Sequence, residues 1–190
     1  NNYPLIEIEK MAKGNRRIGL GVMGYGEALV KMGIAYDSPS SLEFAAKLMR
    51  FINDTALAAS ESLAKERGVF PNWKNSVYDP AGEHFRGENR APRHCARTTI
   101  APTGTIAIAA GLQGSGIEPF FAIAYTRYNA KALEALKKGE APTDKDVFFE
   151  VNPLFKEVAA RNNYFGLKEK DLWSRINDNH KAVRGIPEIP

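Results

Sequence analysis

The stretch that decides the fold is Thr99-Ile100-Ala101-Pro102-Thr103-Gly104-Thr105-Ile106. Residues 98–101 are β-branched or apolar, which predicts a short buried strand. Pro102 and Gly104 break that pattern, and the small apolar residues 106–110 suit the start of a helix. The sequence therefore predicts a strand that runs through a tight turn into a helix N-terminus.

This turn has the features of an anion site. The first amides of a helix have no acceptor within the helix, and the helix dipole favours negative charge there. Thr103 and Thr105 add two hydroxyl donors, whereas the turn has no lysine and is therefore not a Walker loop. Two interpretations stay open at this point: a phosphate-binding loop, or an ordinary Pro-Gly turn in which Thr105 caps the helix.

Upstream, Gly19-Leu20-Gly21-Val22-Met23-Gly24 matches the dinucleotide-binding pattern G-x-G-x-x-G. That pattern needs an apolar strand directly before it, and residues 9–17 are too charged to form one. We therefore predict a helix from Ile18 to Met32, ended by Gly33, whose glycines allow close packing. A dinucleotide site is the alternative.

Periodicity and end signals predict the other elements. A short helix is expected within residues 4–14, and the S-x-x-E box formed by Ser40 and Glu43 is expected to start a long Ala-rich helix that Gly68 ends. Further along we expect strands at 120–128 and 147–151 and helices at 130–138, 153–162 and 168–181. The predicted organisation is a single domain: 1–70 mostly helical, 71–97 loop, 98–128 strand, turn and strand, and 129–190 mixed.

Composition excludes several classes of protein. The 190 residues are 44% hydrophobic and 25% charged, which argues against disorder, and no apolar run is long enough to span a bilayer. The net charge of +4 is spread along the chain, unlike the basic stripe of a nucleic-acid-binding protein. The single cysteine, Cys95, excludes an internal disulfide and a thiolate zinc cluster, and it suits a reducing cytoplasm.

Few other residues stand out as candidates. Glu118 lies between a turn and a strand, where it could orient a ligand or pair with Arg127 or Arg97. Cys95 is either a nucleophile or, as is more common, an inert packed residue. The histidines lack the spacing of metal ligands, so no metal site is expected. Trp73 and Trp173 are interpreted as packing residues.

Taken in order, four stretches resemble the large catalytic subunit of ribonucleotide reductase, most closely the adenosylcobalamin-dependent class II enzymes. The stretches are Asn15-Arg16-Arg17-Ile18-Gly19-Leu20-Gly21-Val22-Met23-Gly24, then Ala59-Ser60-Glu61-Ser62-Leu63-Ala64, then Thr99 to Ile106, and finally Gly116-Ile117-Glu118-Pro119 with Tyr125-Thr126-Arg127. The likeness is strong from Asn15 to Tyr128 and weaker beyond.

The resemblance implies an α/β fold that forms part of a ten-stranded α/β barrel, and an enzyme that reduces the 2′-hydroxyl of ribonucleotides. It implies that a loop at Thr103, Gly104, Thr105, Ile106 and Ala107 holds the substrate phosphates. Pro102, Glu118 and Arg127 are expected to support that loop. Ala107 departs from the family, which often has serine there, so one hydroxyl donor is absent.

The family's radical cysteine, in an Asn-x-Cys-x-Glu loop, and its reducing cysteine pair have no counterpart here. We therefore carry no catalytic role onto Cys95 and expect this segment alone to be inactive. The resemblance implies adenosylcobalamin as cofactor of the complete enzyme. The implied partners are a ribonucleoside di- or triphosphate, the remaining barrel segments and a thioredoxin-type reductant, and a homodimer stays open. The alternatives are a stand-alone nucleotide-binding module and a non-catalytic fragment that needs a partner segment.

Overall fold

The computed structural model describes residues 2–164, 169–179, 181–187 and 189. The chain divides into two compact units, Asn1–Met23 with Asp37–Thr103, and Gly24–Tyr36 with Gly104–Pro190. The helices are α1 (Ile6–Asn15), α2 (Tyr25–Met32), α3 (Pro39–Arg67), α4 (Gly104–Ala109), α5 (Ala130–Lys137), α6 (Pro153–Arg161) and α7 (Glu169–Asp178). The strands are β1 (Ala124–Tyr128) and β2 (Val147–Val151), and short 3-10 turns cover Pro71–Trp73 and Asp144–Asp146.

In the first unit, the expected long helix is present but begins differently. The side chain of Ser38 accepts a hydrogen bond from the backbone N of Ser41 at 3.2 Å, and Pro39 occupies the first turn of α3. The prediction of a capping box at Ser40 and Glu43 is therefore wrong, because proline fits the first helical position and shifts the cap two residues upstream. Gly68 ends the helix as predicted, with φ of 78°.

The glycine-rich segment before α2 is extended, so the prediction that a helix starts at Ile18 is wrong. Leu20 donates its backbone N–H to the carbonyl oxygen of Arg97 at 2.8 Å and accepts from the backbone N of Thr99 at 2.9 Å, forming a parallel bridge with Thr98. A Cβ on Gly21 would lie 2.4 Å from the carbonyl oxygen of Thr99. Only glycine permits so close an approach of two backbones.

The predicted buried strand at 98–101 is reduced to that single bridge. Thr98 is half-buried, whereas 68% of the surface of Ile100 is exposed. Within the predicted loop at 71–97, residues 74–97 have turns and bends but no helix or strand. Trp73 donates its indole N–H to the carbonyl oxygen of Arg90 at 2.7 Å, which connects it to this region.

In the second unit, β1 and β2 pair antiparallel, with Thr126 opposite Phe149. The strand predicted at 120–128 is confined to its second half, while the prediction for 147–151 is confirmed. Asn152 caps α6 by accepting from the backbone N of Phe155 at 3.0 Å. The last predicted helix is confirmed as α7, although Lys168 and His180 lie outside the described residues.

The core of this unit lies where α6 and α7 meet β1. Its buried members are Ala124, Phe155, Ala159, Leu172, Trp173, Ile176 and Ile186. The rings of Phe155 and Trp173 meet edge to face, with centroids 6.0 Å apart. Trp173 is therefore a packing residue, as its sequence context predicts.

Candidate functional site

The predicted phosphate loop forms the N-terminus of α4. Thr103 precedes the helix with φ of 56°, and Gly104 is its first residue. Thr105 lies inside the first turn, so the alternative in which Thr105 caps the helix is wrong. Helix amides in the first turn lack acceptors within the helix, so N–H groups of this turn lie beside two threonine residues.

Exposure separates the members of the loop. Gly104, Thr105 and Ile106 are exposed, whereas only 2% of the surface of Ala107 is exposed. Ala107 is therefore shielded from solvent, whereas the three residues before it face solvent. At the other end of α4, the backbone N of Leu112 donates to the carbonyl oxygen of Ala107 at 2.9 Å and closes the helix.

The turn that follows α4 is held by α2, a contact that the sequence alone does not indicate. The carboxylate of Glu27 accepts hydrogen bonds from the backbone N of Gln113 at 2.6 Å and of Gly114 at 2.9 Å. The hydroxyl of Tyr36 donates to the carbonyl oxygen of Ile117 at 2.8 Å. The one signal in the sequence is a glutamate within the apolar and glycine-rich segment 18–30.

Glu118, expected to support the loop, is exposed, and its backbone N donates to the carbonyl oxygen of Ser115 at 2.9 Å. Arg127 does not pair with it, because Arg127 binds Glu150 through Nε and Oε1 at 2.5 Å. Arg97 donates to the hydroxyl of Tyr78 and to the carbonyl oxygen of His94. Both arginines considered as partners of Glu118 therefore have other contacts.

Glu150 gathers donors on the surface of the β1–β2 pair. The hydroxyl of Tyr125 donates to its Oε2 at 2.8 Å. The hydrogen bond from Tyr125, and then that from Arg127, hold the pKa of Glu150 below its usual value. The guanidinium of Arg127 also lies 5.0 Å from the ring centre of Phe148. These contacts hold Arg127 against the β1–β2 pair, and its expected support of the phosphate loop stays a prediction.

Cys95 is half-buried, and its backbone N donates to the carbonyl oxygen of Asn15 at 3.1 Å. The neighbouring His94 bonds through Nδ1 to the hydroxyl of Ser60 at 2.9 Å. Burial lowers the pKa of His94, and three nearby guanidinium groups lower it further.

Within the part of the chain that the structure describes, no three histidine, cysteine or acidic side chains gather as metal ligands would. No helix of this part is long and apolar enough to cross a bilayer.

Comparison with known proteins covers the whole chain. Residues 1–190 match the family model described as ribonucleotide reductase, barrel domain. The vitamin B12-dependent ribonucleoside-diphosphate reductase of Thermoplasma acidophilum is 40% identical over 176 residues, which cover 93% of this chain and 20% of that protein. The enzyme of the same name from Mycobacterium tuberculosis is 38% identical over 191 residues, which cover 100% of this chain and 24% of that protein.

More distant similarity extends to the ribonucleoside-diphosphate reductase subunit alpha of Chlamydia trachomatis, 33% identical over 68% of this chain. The chain spans about a fifth to a quarter of the length of the B12-dependent relatives that it matches. Its helices and small sheet agree with a fragment of an α/β barrel.

Proposed function

Because this chain belongs to the ribonucleotide reductase family, as a segment of the barrel domain, we propose that it works within an enzyme that reduces ribonucleotides to 2′-deoxyribonucleotides. The family and the fold class expected from the sequence are thereby confirmed. The names of the vitamin B12-dependent relatives favour a ribonucleoside diphosphate as the substrate. We place the enzyme in the cytoplasm, with a thioredoxin-type dithiol as its source of electrons.

The role proposed for this segment is to hold the substrate phosphates. The observation that carries it is the exposed first turn of α4, preceded by Thr103 and beginning at Gly104. Backbone donors and a helix dipole stabilise an anion there, and two threonine hydroxyls can donate to the same oxygens. We propose Thr103, Gly104, Thr105 and Ile106 as the phosphate contacts, with Ala107 contributing its backbone. Pro102 shapes the entry to this turn.

The reactive chemistry is proposed to reside outside this chain. Adenosylcobalamin is proposed as the cofactor of the complete enzyme, in keeping with the vitamin B12-dependent relatives. When bound, that cofactor supplies the radical. Cys95 keeps no part in the proposal.

The remaining barrel segments are the partners that the surface favours. Each unit exposes large apolar side chains that a complete domain would cover. In the first unit they include Ile6, Met11, Leu42 and Phe51, and in the second Ile106, Ile108 and Phe121. A stand-alone nucleotide-binding module would leave these side chains in water, so we favour a segment that works beside the rest of its barrel.

The phosphate assignment is tested by Thr103→Val with Thr105→Val in a full-length reductase that carries this chain. Loss of two hydroxyl donors to a charged group, each worth about 1.5–3 kcal/mol, should raise the dissociation constant of the nucleotide at least tenfold. Thr55→Val, on the exposed face of α3, is the matched control and should bind normally. Nucleotide affinity equal to the wild type in the double variant would refute the assignment.

A further inference from the structure

Glu27 is a buried carboxylate to which the proposed function gives no role. It lies on α2 with 8% of its surface exposed. Its Oε1 accepts from the backbone N of both Gln113 and Gly114. Its Oε2 is buried and has no hydrogen-bond partner among the described residues. Burying a carboxyl group is costly unless it is hydrogen-bonded, and the two backbone amides of the turn offset part of that cost.

The glycines around Glu27 let α2 approach that turn closely. A Cβ on Gly24, whose φ is 74°, would lie 3.2 Å from Cδ1 of Leu112 at the end of α4. A Cβ on Gly26 would lie 3.2 Å from the carbonyl oxygen of Glu118, tighter than an ordinary contact. The end of the glycine-rich pattern therefore brings a helix against a turn, which is a packing use of glycine.

Two further bonds join the same elements. The backbone N of Tyr25 donates to the carbonyl oxygen of Gly116 at 3.2 Å. The hydroxyl of Tyr36 donates to the carbonyl oxygen of Ile117. Together with Glu27, residues at the start of α2 and just beyond its end thus fix the backbone of 113–117.

That turn follows directly on the helix of the proposed phosphate loop. It begins one residue after Leu112, whose N–H closes α4, and it is followed by Glu118. Fixing it therefore sets the position of α4, with Gly104 and Thr105 at its start, relative to the Ile117-Glu118-Pro119 segment. A displacement of about 1 Å in a binding group can cost on the order of a hundredfold in rate.

We infer that Glu27 is a positioning residue for the substrate phosphates, acting through the 113–117 turn on α4. This inference rests on the proposed phosphate-binding function. Glu27 itself touches backbone amides of the turn and is not proposed to contact substrate.

The test uses Glu27→Ala, Glu27→Gln and Tyr36→Phe in a full-length reductase that carries this chain. KM and kcat are measured for a ribonucleoside diphosphate, and inhibition constants are measured for a non-reacting nucleoside diphosphate and for the matching nucleoside. Glu27→Ala should raise KM about tenfold or more with a smaller change in kcat, because the turn loses its fixed geometry. Glu27→Gln should have a smaller effect of about threefold, since glutamine keeps an acceptor but loses the charge that strengthens it. Tyr36→Phe keeps the core of the turn and provides a milder variant should Glu27→Ala fail to fold.

The readout that separates positioning from stability is the ratio of the two inhibition constants. Positioning requires that affinity for the diphosphate falls while affinity for the nucleoside stays within about twofold. The control is Glu134→Gln on α5, which removes only an exposed ion pair with Lys138 just beyond that helix and should leave the ratio unchanged.

The outcomes distinguish this inference from the proposed function. If the threonine double variant weakens diphosphate binding but folded Glu27→Gln and Tyr36→Phe proteins keep the wild-type ratio, Glu27 has no positioning role. If the threonine variant binds normally, the phosphate assignment fails and this inference fails with it.

Discussion

Replacing Ser60 by alanine should loosen residues 91–97, the loop that leads into the bridge between Leu20 and Thr98. Ser60 lies on α3 with 2% of its surface exposed. Its hydroxyl oxygen accepts from the backbone N of His94 at 3.1 Å, and the hydroxyl bonds with Nδ1 of the same residue at 2.9 Å. Both bonds are lost in Ser60→Ala, while the backbone N of Arg93 still donates to the carbonyl oxygen of residue 60 at 3.0 Å.

The size of the effect follows from the lost acceptor. A partly buried N–H without a partner costs about 1–3 kcal/mol. At 1.4 kcal/mol per factor of ten, a local cost of about 2 kcal/mol corresponds to about a 30-fold increase in the population of the open loop. Hydrogen exchange of the His94 amide should accelerate by a similar factor, because exchange follows that population.

The assay is hydrogen-exchange mass spectrometry on peptides that span residues 91–97 of a full-length reductase carrying this chain. Ser62→Ala is the matched control, since Ser62 lies on the same helix and is exposed. We expect unchanged exchange in the control. Exchange in Ser60→Ala within twofold of the wild type would show that the Ser60–His94 contact does not hold the loop.

Two further predictions concern the same unit. Gly21→Ala should destabilise the pairing of 18–21 with 96–99 by about 1–3 kcal/mol, because the backbone must move away from the new Cβ. A wild-type melting temperature together with wild-type hydrogen exchange at 96–99 would contradict the close approach. The lowered pKa of His94 means that the folded state binds fewer protons than the unfolded state. Stability should therefore fall as the pH drops through the usual histidine range, and exchange at 93–97, corrected for intrinsic rates, should rise more from pH 7.5 to 5.5 in the wild type than in His94→Asn. Equal pH dependence in the two proteins would refute this.

Local signals were enough to locate most helices. Proline at the first position starts α6, and glycine ends α2 and α3, as the sequence predicts. These signals work because helix hydrogen bonds join residues four apart, so the unpaired groups at each end are capped by residues close in sequence.

The extended segment before α2 could not be found in this way. Leu20 pairs with Thr98, and no local pattern identifies a partner so far along the chain. The glycines that make this pairing possible also match the dinucleotide-binding pattern G-x-G-x-x-G. Burial was likewise overestimated at Ile100, because an apolar residue predicts a partner but not whether that partner lies in this chain.

In the candidate site too, features local in sequence could be predicted, whereas contacts between distant residues could not. The threonine turn is a contiguous pattern, so its place at the start of α4 could be predicted. Glu27 could not be linked to it, since its hydrogen-bond donors lie 86 and 87 positions downstream. The role of buried Glu27 can be inferred only once the backbone amides of Gln113 and Gly114 are known to bind it.

The discontinuous course of the second unit bears on how the protein emerges from the ribosome. Helix α2 is synthesised early, but the amides that Glu27 binds follow 86 positions later. At roughly 5–20 residues per second, α2 waits on the order of 4 to 17 s for them. Residues 37–103 are all synthesised during that interval. Leu29, which is 1% exposed in the folded structure, is meanwhile without residues 104–190, which complete its unit. Translation speed across this stretch therefore sets how long α2 remains without these contacts.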